Sequence, residues 1–270
     1  MGLTIHYTLT LPAELSRVDA VRRVEQLRRR AAAIEGIRVD TAVRECHGPS
    51  LKKEQAKGFF LGCIYVPVTF DGSGRPQVAA DWRDSEVSVA VDPDELAFFG
   101  VRVPGSETAF FGVGRLPGTF EQVGEDGAPS ARLDVPRHGG RWFAEWGCKT
   151  QYASDPALGG DENFLRAHLS VVAVLDAALE LGFGVEVMDE GNYRETRDVS
   201  ALLKELGRNN RLVAGFAGML KDRLGPGNLA APILARADFE RLEASAPADG
   251  IAANFEGAFG DLLRMTKRRA

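Results

Sequence analysis

The chain has 270 residues, 44% hydrophobic and 26% charged, a balance that is ordinary for a soluble globular protein. Its 33 lysines and arginines against 38 aspartates and glutamates give a net charge of −5, which argues against a broad nucleic-acid surface. Cys46, Cys63 and Cys148 are too few for a disulfide framework and predict free thiols in a reducing cytoplasm.

The opening MGLTIHYTLTLPAEL has no basic segment leading into an apolar one, so no signal peptide is expected. His6 occupies the Ser/Thr position of the myristoylation pattern, and no apolar run approaches the ~20 residues of a membrane span. LTIHYTLTL (3–11) alternates apolar with polar residues and predicts a strand. From Ser16 to Ile34 an apolar stripe of Ala20, Val24, Leu27 and Ala31 predicts a helix, stopped by Gly36. IRVDTAVREC (37–46) reads as a second strand. FFLGCIYVPVTF (59–70) reads as a third, with Pro67 marking a bulge or an edge. Over 71–140, short strands are expected at 87–91, 107–113, 120–123 and 131–135, as hairpins or a meander.

RWFAEWGCKTQYA (141–153) predicts another strand, and Asp161 is positioned to cap a helix striped by Leu165, Leu169, Val172, Leu175 and Leu179. VEVM (185–188) is a short strand, a helix runs from about Asp198 to Leu224, and GPGNLAAP (225–232) breaks it. The tail from Phe239 is expected to be helical. Strand–helix–strand runs over 3–46 and again over 141–189. These patterns predict an α+β (or α/β) fold: a mixed sheet with helices packed on it, two β-α-β units related by internal duplication, and a β-rich middle joining them. The chain reads as a single unit over 1–270, with halves at 1–135 and 136–270 as its natural division.

Chemistry concentrates in 184-GVEVMDEGNYRETRD-198, where a strand runs into Asp189, Glu190, Glu195 and Asp198. In open α/β sheets, ligand sites lie beyond the carboxyl ends of strands. Carboxylates gathered there supply an acid and a base, or hold a hard cation such as Mg²⁺, and Tyr193 can donate a hydrogen bond. The structural alternative is that Asp198 or Thr196 caps the next helix while Glu190 and Glu195 face water. In CKTQY (148–152), alternation puts Lys149 and Gln151 on one face, where a lysine can hold an anion. His168 lies beside the stripe of its helix, as a hydrogen-bonded core residue or as a base facing the same strands. ECHG (45–48) combines potential zinc ligands without completing a ligand spacing. His6 falls on the polar face of the first strand and His138 in a Gly-rich loop. Phosphate-loop, dinucleotide, nucleophile-elbow and paired C-x-x-C signatures are absent.

KTQYA (149–153), GGDENFLRAH (159–168) and DEGNYRETRD (189–198) resemble a pattern in a bacterial protein family to which no activity is assigned. Its members begin with a strand similar to GLTIHY. The resemblance covers the first ten or so residues and about 141–215, and it implies one module without transferring any chemistry. Two readings follow from the residues. One is an enzyme, a hydrolase or transferase acting on a small polar or anionic substrate. In it Asp189, Glu190, Glu195 and His168 are catalytic, and Lys149, Gln151 and Tyr193 bind substrate. The other is a non-catalytic binding or immunity-type protein whose acidic surface meets a protein partner. Nucleic-acid binding through Arg22, Arg23, Arg28, Arg29 and Arg30 ranks third, because those arginines spread around a helix. No membrane partner is expected.

Overall fold

The computed structural model describes residues 3–48, 50–52, 62–123, 129–225 and 231–246. Strand β1 (Thr4–Leu11) buries Ile5, Tyr7, Leu9 and Leu11 and turns His6, Thr8 and Thr10 to the opposite face, as its alternation requires. Helix α1 (Arg17–Ala32) starts at Ser16, whose hydroxyl accepts the Asp19 N–H, and buries Ala20, Val24, Leu27 and Ala31. Strands β2 (Arg38–Val39) and β3 (Arg44–His47) stand where one strand was expected. Asp40 divides them, because its carboxylate accepts the Gly100 N–H at 2.9 Å and pairs with Arg44 at 3.1 Å.

The middle of the chain builds β4 (Ile64–Phe70), β5 (Pro76–Val78), β6 (Val87–Val91), β7 (Glu95–Arg102), β8 (Ala109–Arg115), β9 (Thr119–Val123) and β10 (Pro129–Asp134). After them come β11 (Trp142–Lys149), α2 (Gly160–Glu180), β12 (Gly184–Asp189), the single turn α3 (Tyr193–Thr196), α4 (Val199–Leu224) and α5 (Phe239–Ala244). The architecture is α+β. The main sheet runs β12-β1-β11-β8-β7-β2, with β3 also pairing β7, and its pairings are antiparallel. Strand β1 lies between β11 and β12, so the two strand–helix–strand units share this sheet. Helices α1 and α2 cover one face, where Ile5, Tyr7 and Leu9 meet Val24, Leu27, Val171 and Leu175. A second, smaller core gathers Val66, Val68, Val91, Phe120 and Val135 from the sheet β5-β4-β6, the hairpin β9–β10 and the chain beyond it. Among the described residues, no helix is long and apolar enough to cross a membrane.

Several expectations change. Strand β7 was not anticipated because Leu96 through Val101 are all buried, which erases the alternation that reveals a one-sided strand. Pro67 sits in the central strand of its small sheet, in register opposite Ser88, and marks neither an edge nor a bulge. Residues 59–61 of the expected 59–70 strand, and the tail beyond 246, lie outside the described residues. β11 stops at Lys149, and Gln151–Ser154 form a 3-10 turn. Asp161 lies in the first turn of α2, whose N-cap is Gly159.

The contact between β7 and β8 allows no side chain at Gly112. A Cβ there would come within 2.0 Å of the Ala97 carbonyl oxygen and 2.6 Å of Phe98 Cα. Gly112→Ala is therefore expected to destabilise the fold by about 3 kcal/mol in urea unfolding. Gly72→Ala, where a Cβ meets nothing within 4 Å, serves as the neutral control.

Candidate functional site

The helix-covered face closes over His168. Its imidazole is fully buried, with Nδ1 2.9 Å from Thr150 Oγ1 and Nε2 3.1 Å from Asp189 Oδ1. Thr150 and Asp189 thus partner both ring nitrogens, and the Thr150 hydroxyl also donates to the Leu3 carbonyl at 3.4 Å. Asp189 also accepts the Gly191 and Arg194 N–H groups at 2.8 and 2.9 Å. Burial alone would raise the Asp189 carboxyl, but its bonds and charge contact with His168 and the two amides outweigh it and hold it below the ordinary range. Tyr193 stands edge-on to His168, with ring centres 6.3 Å apart. A Cβ on Gly191 would come within 2.5 Å of Leu202 Cδ1 and 3.1 Å of His168 Cε1, so the glycine is needed for this packing.

The other acidic residues of that stretch stand apart from this pair. Glu190 is exposed and accepts the Thr4 N–H at 2.7 Å. Glu195 is exposed. Asp198 caps α4 by accepting from Ser200 and Ala201. Gln151 is buried in a different network, accepting the Leu3 N–H at 2.8 Å and donating to Asn210 at 2.8 Å. Lys149 lies opposite Thr4, on the sheet face away from Asp189, which shares the face of Ile5. The structure thus brings His168, Asp189 and Tyr193 together in the core and disperses Glu190, Glu195, Lys149 and Gln151. The strand-end rule applies at switch points of parallel sheets, and β12 is an edge strand paired antiparallel to β1.

Other expectations resolve similarly. Glu45 pairs with Arg17 at 3.1 Å while Cys46 points into the core, so ECHG does not converge on one point. Among the described residues, no three His, Cys, Asp or Glu side chains gather in a way that could hold a metal ion. On α1, Arg22 pairs with Asp19, Arg28 and Arg29 with Glu25, and Arg30 with Glu180, while Arg23 donates to the Leu181 carbonyl.

The open face of the sheet carries a larger feature. Between it and the sheet β5-β4-β6 lies a cleft of about 1200 Å³. Polar lining comes from His6, Tyr65, Glu107, Arg137, His138 and Glu145, with Phe110, Phe143 and Trp146 among the apolar lining. Strand register sets the order on this face. Thr8 stands between Glu145 and Glu186, and His6 between Gly147 and Met188. A Cβ on Gly147 would come 3.4 Å from His6 Nδ1, so the imidazole lies over the glycine.

Below this face, β8 and β11 pair only at Trp142 and Phe143. Farther along, side chains bond to β8 instead: the Tyr7 hydroxyl donates to the Phe110 carbonyl at 2.6 Å, and Trp146 Nε1 to the Gly112 carbonyl at 3.2 Å. His138 stacks on Phe143 at 3.9 Å. Burial pulls the His138 imidazole below its ordinary pKa; Arg137 and Arg141 push the same way, and Glu186 and Glu145 oppose them. The imidazole is therefore neutral at pH 7 and can accept a proton.

Sequence reasoning left His6 and His138 aside. Alternation did place His6 on the polar face, together with Thr8 and Thr10. Nothing local signals that the small sheet roofs that face, since the roof arises from contacts distant in sequence.

Comparison with protein-family models, with curated proteins and with solved structures finds no match to this chain.

Asp189→Asn should destabilise the protein by about 2–4 kcal/mol at pH 7, because it removes the ionised partner of a buried imidazole. The folded-state pKa of Asp189 is depressed, so its contribution is present above the unfolded value and lost as pH falls through the folded one. The gap between wild type and variant should therefore shrink below about pH 4 in denaturant titrations. Burial pushes the Cys148 thiol up to about 12, and Cys46 is also buried. An aromatic disulfide reagent should label the half-buried Cys63 in the native protein and reach Cys46 and Cys148 only on unfolding.

Proposed function

We propose that the protein binds a small polar molecule in the cleft over the open sheet face and acts on it as a hydrolase or transferase. His138 serves as proton acceptor, and His6 and Glu145 as the polar groups that orient or protonate the substrate. The observation that carries this reading is that two imidazoles and a carboxylate line one cleft of about 1200 Å³ together with aromatic side chains. Those side chains stand on β1, on β11 and on the turn before β11, so a rigid sheet fixes two of the three. Cys46, Cys63 and Cys148 form no disulfide, which suits a reducing compartment, and a cytoplasmic location is part of the proposal.

The alternative is a protein-binding role for the acid-rich turn after β12. It has less support, because Asp189 is withdrawn into the core, Asp198 caps a helix, and Asp176 beside the turn pairs with Arg197 at 2.8 Å.

A thermal-shift screen of common metabolites against wild type, His6→Ala and Glu145→Gln tests the cleft. A ligand that binds only the folded state raises Tm by mass action. The expected result is a compound that raises the wild-type Tm and fails to do so in both variants. A compound whose effect survives both substitutions places the binding site elsewhere. Turnover of such a compound should fall as pH drops through a midpoint below the ordinary histidine value, as His138 takes up a proton.

A further inference from the structure

Among the described residues, three that are not glycine have left-handed backbone: Arg137 (φ 60°), Asn192 (φ 54°) and Arg197 (φ 56°). Asparagine tolerates this region well, and a long side chain does not. Contacts account for Arg197, whose guanidinium bonds Asp176 at 2.8 Å and lies over the Tyr193 ring at 5.8 Å. Arg137 bears the same strain with no such return. It is exposed and forms no ion pair among the described residues, although it lines the cleft.

The local backbone explains the conformation. The His138 N–H donates to the Pro136 carbonyl at 2.6 Å, which closes a three-residue turn with Arg137 at its apex. A γ-turn with positive φ at its centre is rare and strained. Neighbouring bonds lock this one. The Val135 N–H reaches the Gly118 carbonyl, the Gly140 N–H the Leu116 carbonyl, and the Arg141 N–H the His138 carbonyl. Glycine would occupy the apex without strain, and the chain already has glycines at 139 and 140. An arginine there is explained if its side chain has work at the cleft that a glycine could not do.

We infer that Arg137 is a specificity-determining residue that anchors an anionic group, phosphate or carboxylate, of the molecule bound in the cleft. This rests on the cleft reading above and adds the chemical class of the ligand. A guanidinium offers a planar fork of donors suited to either group. The anion is held over the end of the cleft where His138 stacks on Phe143. Glu145 lies two residues along β11 from Phe143, about 7 Å, beyond the anion and next to the uncharged part of the ligand.

The test is titration of inorganic phosphate and, separately, succinate into wild type, Arg137→Gly and Arg137→Lys, read by calorimetry and by Tm. Wild type is expected to bind at least one of the two anions, and which one binds separates a phosphate ligand from a carboxylate. Arg137→Gly is expected to melt about 2 °C higher, as the strained turn relaxes, and to bind that anion at least tenfold more weakly. Arg137→Lys keeps the charge but not the fork, and is expected to fall between the two. The anchor is overturned if wild type binds neither anion, if Arg137→Gly binds as well as wild type, or if Arg137→Gly melts lower. A metabolite whose binding is lost in His6→Ala and Glu145→Gln but untouched in Arg137→Gly would keep the cleft and remove the anchor.

Discussion

One buried imidazole holds the ends of the sheet together. His168 reaches from α2 to Thr150 at the end of β11 and to Asp189 at the end of β12. β1 lies between those two strands, and its start is tied into the same place, since the Leu3 carbonyl accepts the Thr150 N–H and the Thr4 N–H bonds Glu190. A buried imidazole is stable only when both nitrogens are satisfied, and here both are. The carboxylate is likewise supplied with two backbone amides as well as the imidazole. The acid-rich turn is therefore best understood as the outer wall of a structural joint.

That joint leaves the two faces of the sheet with different roles. The helix side is filled by Ile5, Tyr7, Leu9 and the buried residues of α1 and α2. The other side carries the alternate residues of the same strands: His6, Thr8 and Thr10 of β1, and Glu145 and Gly147 of β11. Because side chains alternate strictly, firm burial of one face fixes which residues are presented on the other. The small sheet and the turn with Arg137 and His138 then roof that second face. Tyr7 and Trp146 tie β1 and β11 to β8, since their polar tips bond carbonyls of β8 where it no longer pairs with β11.

Much of the frame was legible in the sequence. The alternation of 3–11, the stripe of α1, and the order strand–helix–strand at both ends are local signals, and the structure has them. β7 was not legible because a strand buried on both faces has no period to read. Gln151 was misplaced because the strand before it turns at Lys149, and residue alternation does not announce its own end. Of the residues grouped from the sequence, His168, Asp189 and Tyr193 do lie together, but their burial depends on packing by Leu202 and Phe164, residues remote from the turn in sequence. The cleft combines β1, β11 and the 136–138 turn with a roof from residues 63–88, a juxtaposition with no sequence signature.

The central claim is that ligand chemistry belongs to the open face of the sheet, while Asp189, Glu190 and Asp198 serve the fold. A crystal structure of the protein with a compound taken from the metabolite screen addresses it most directly. The account predicts density for the compound between Glu145 and Tyr65, with His6 and His138 in contact and the His168–Asp189 pair unchanged. Density seated against Asp189, Glu190 and Tyr193, with the cleft vacant, would contradict it.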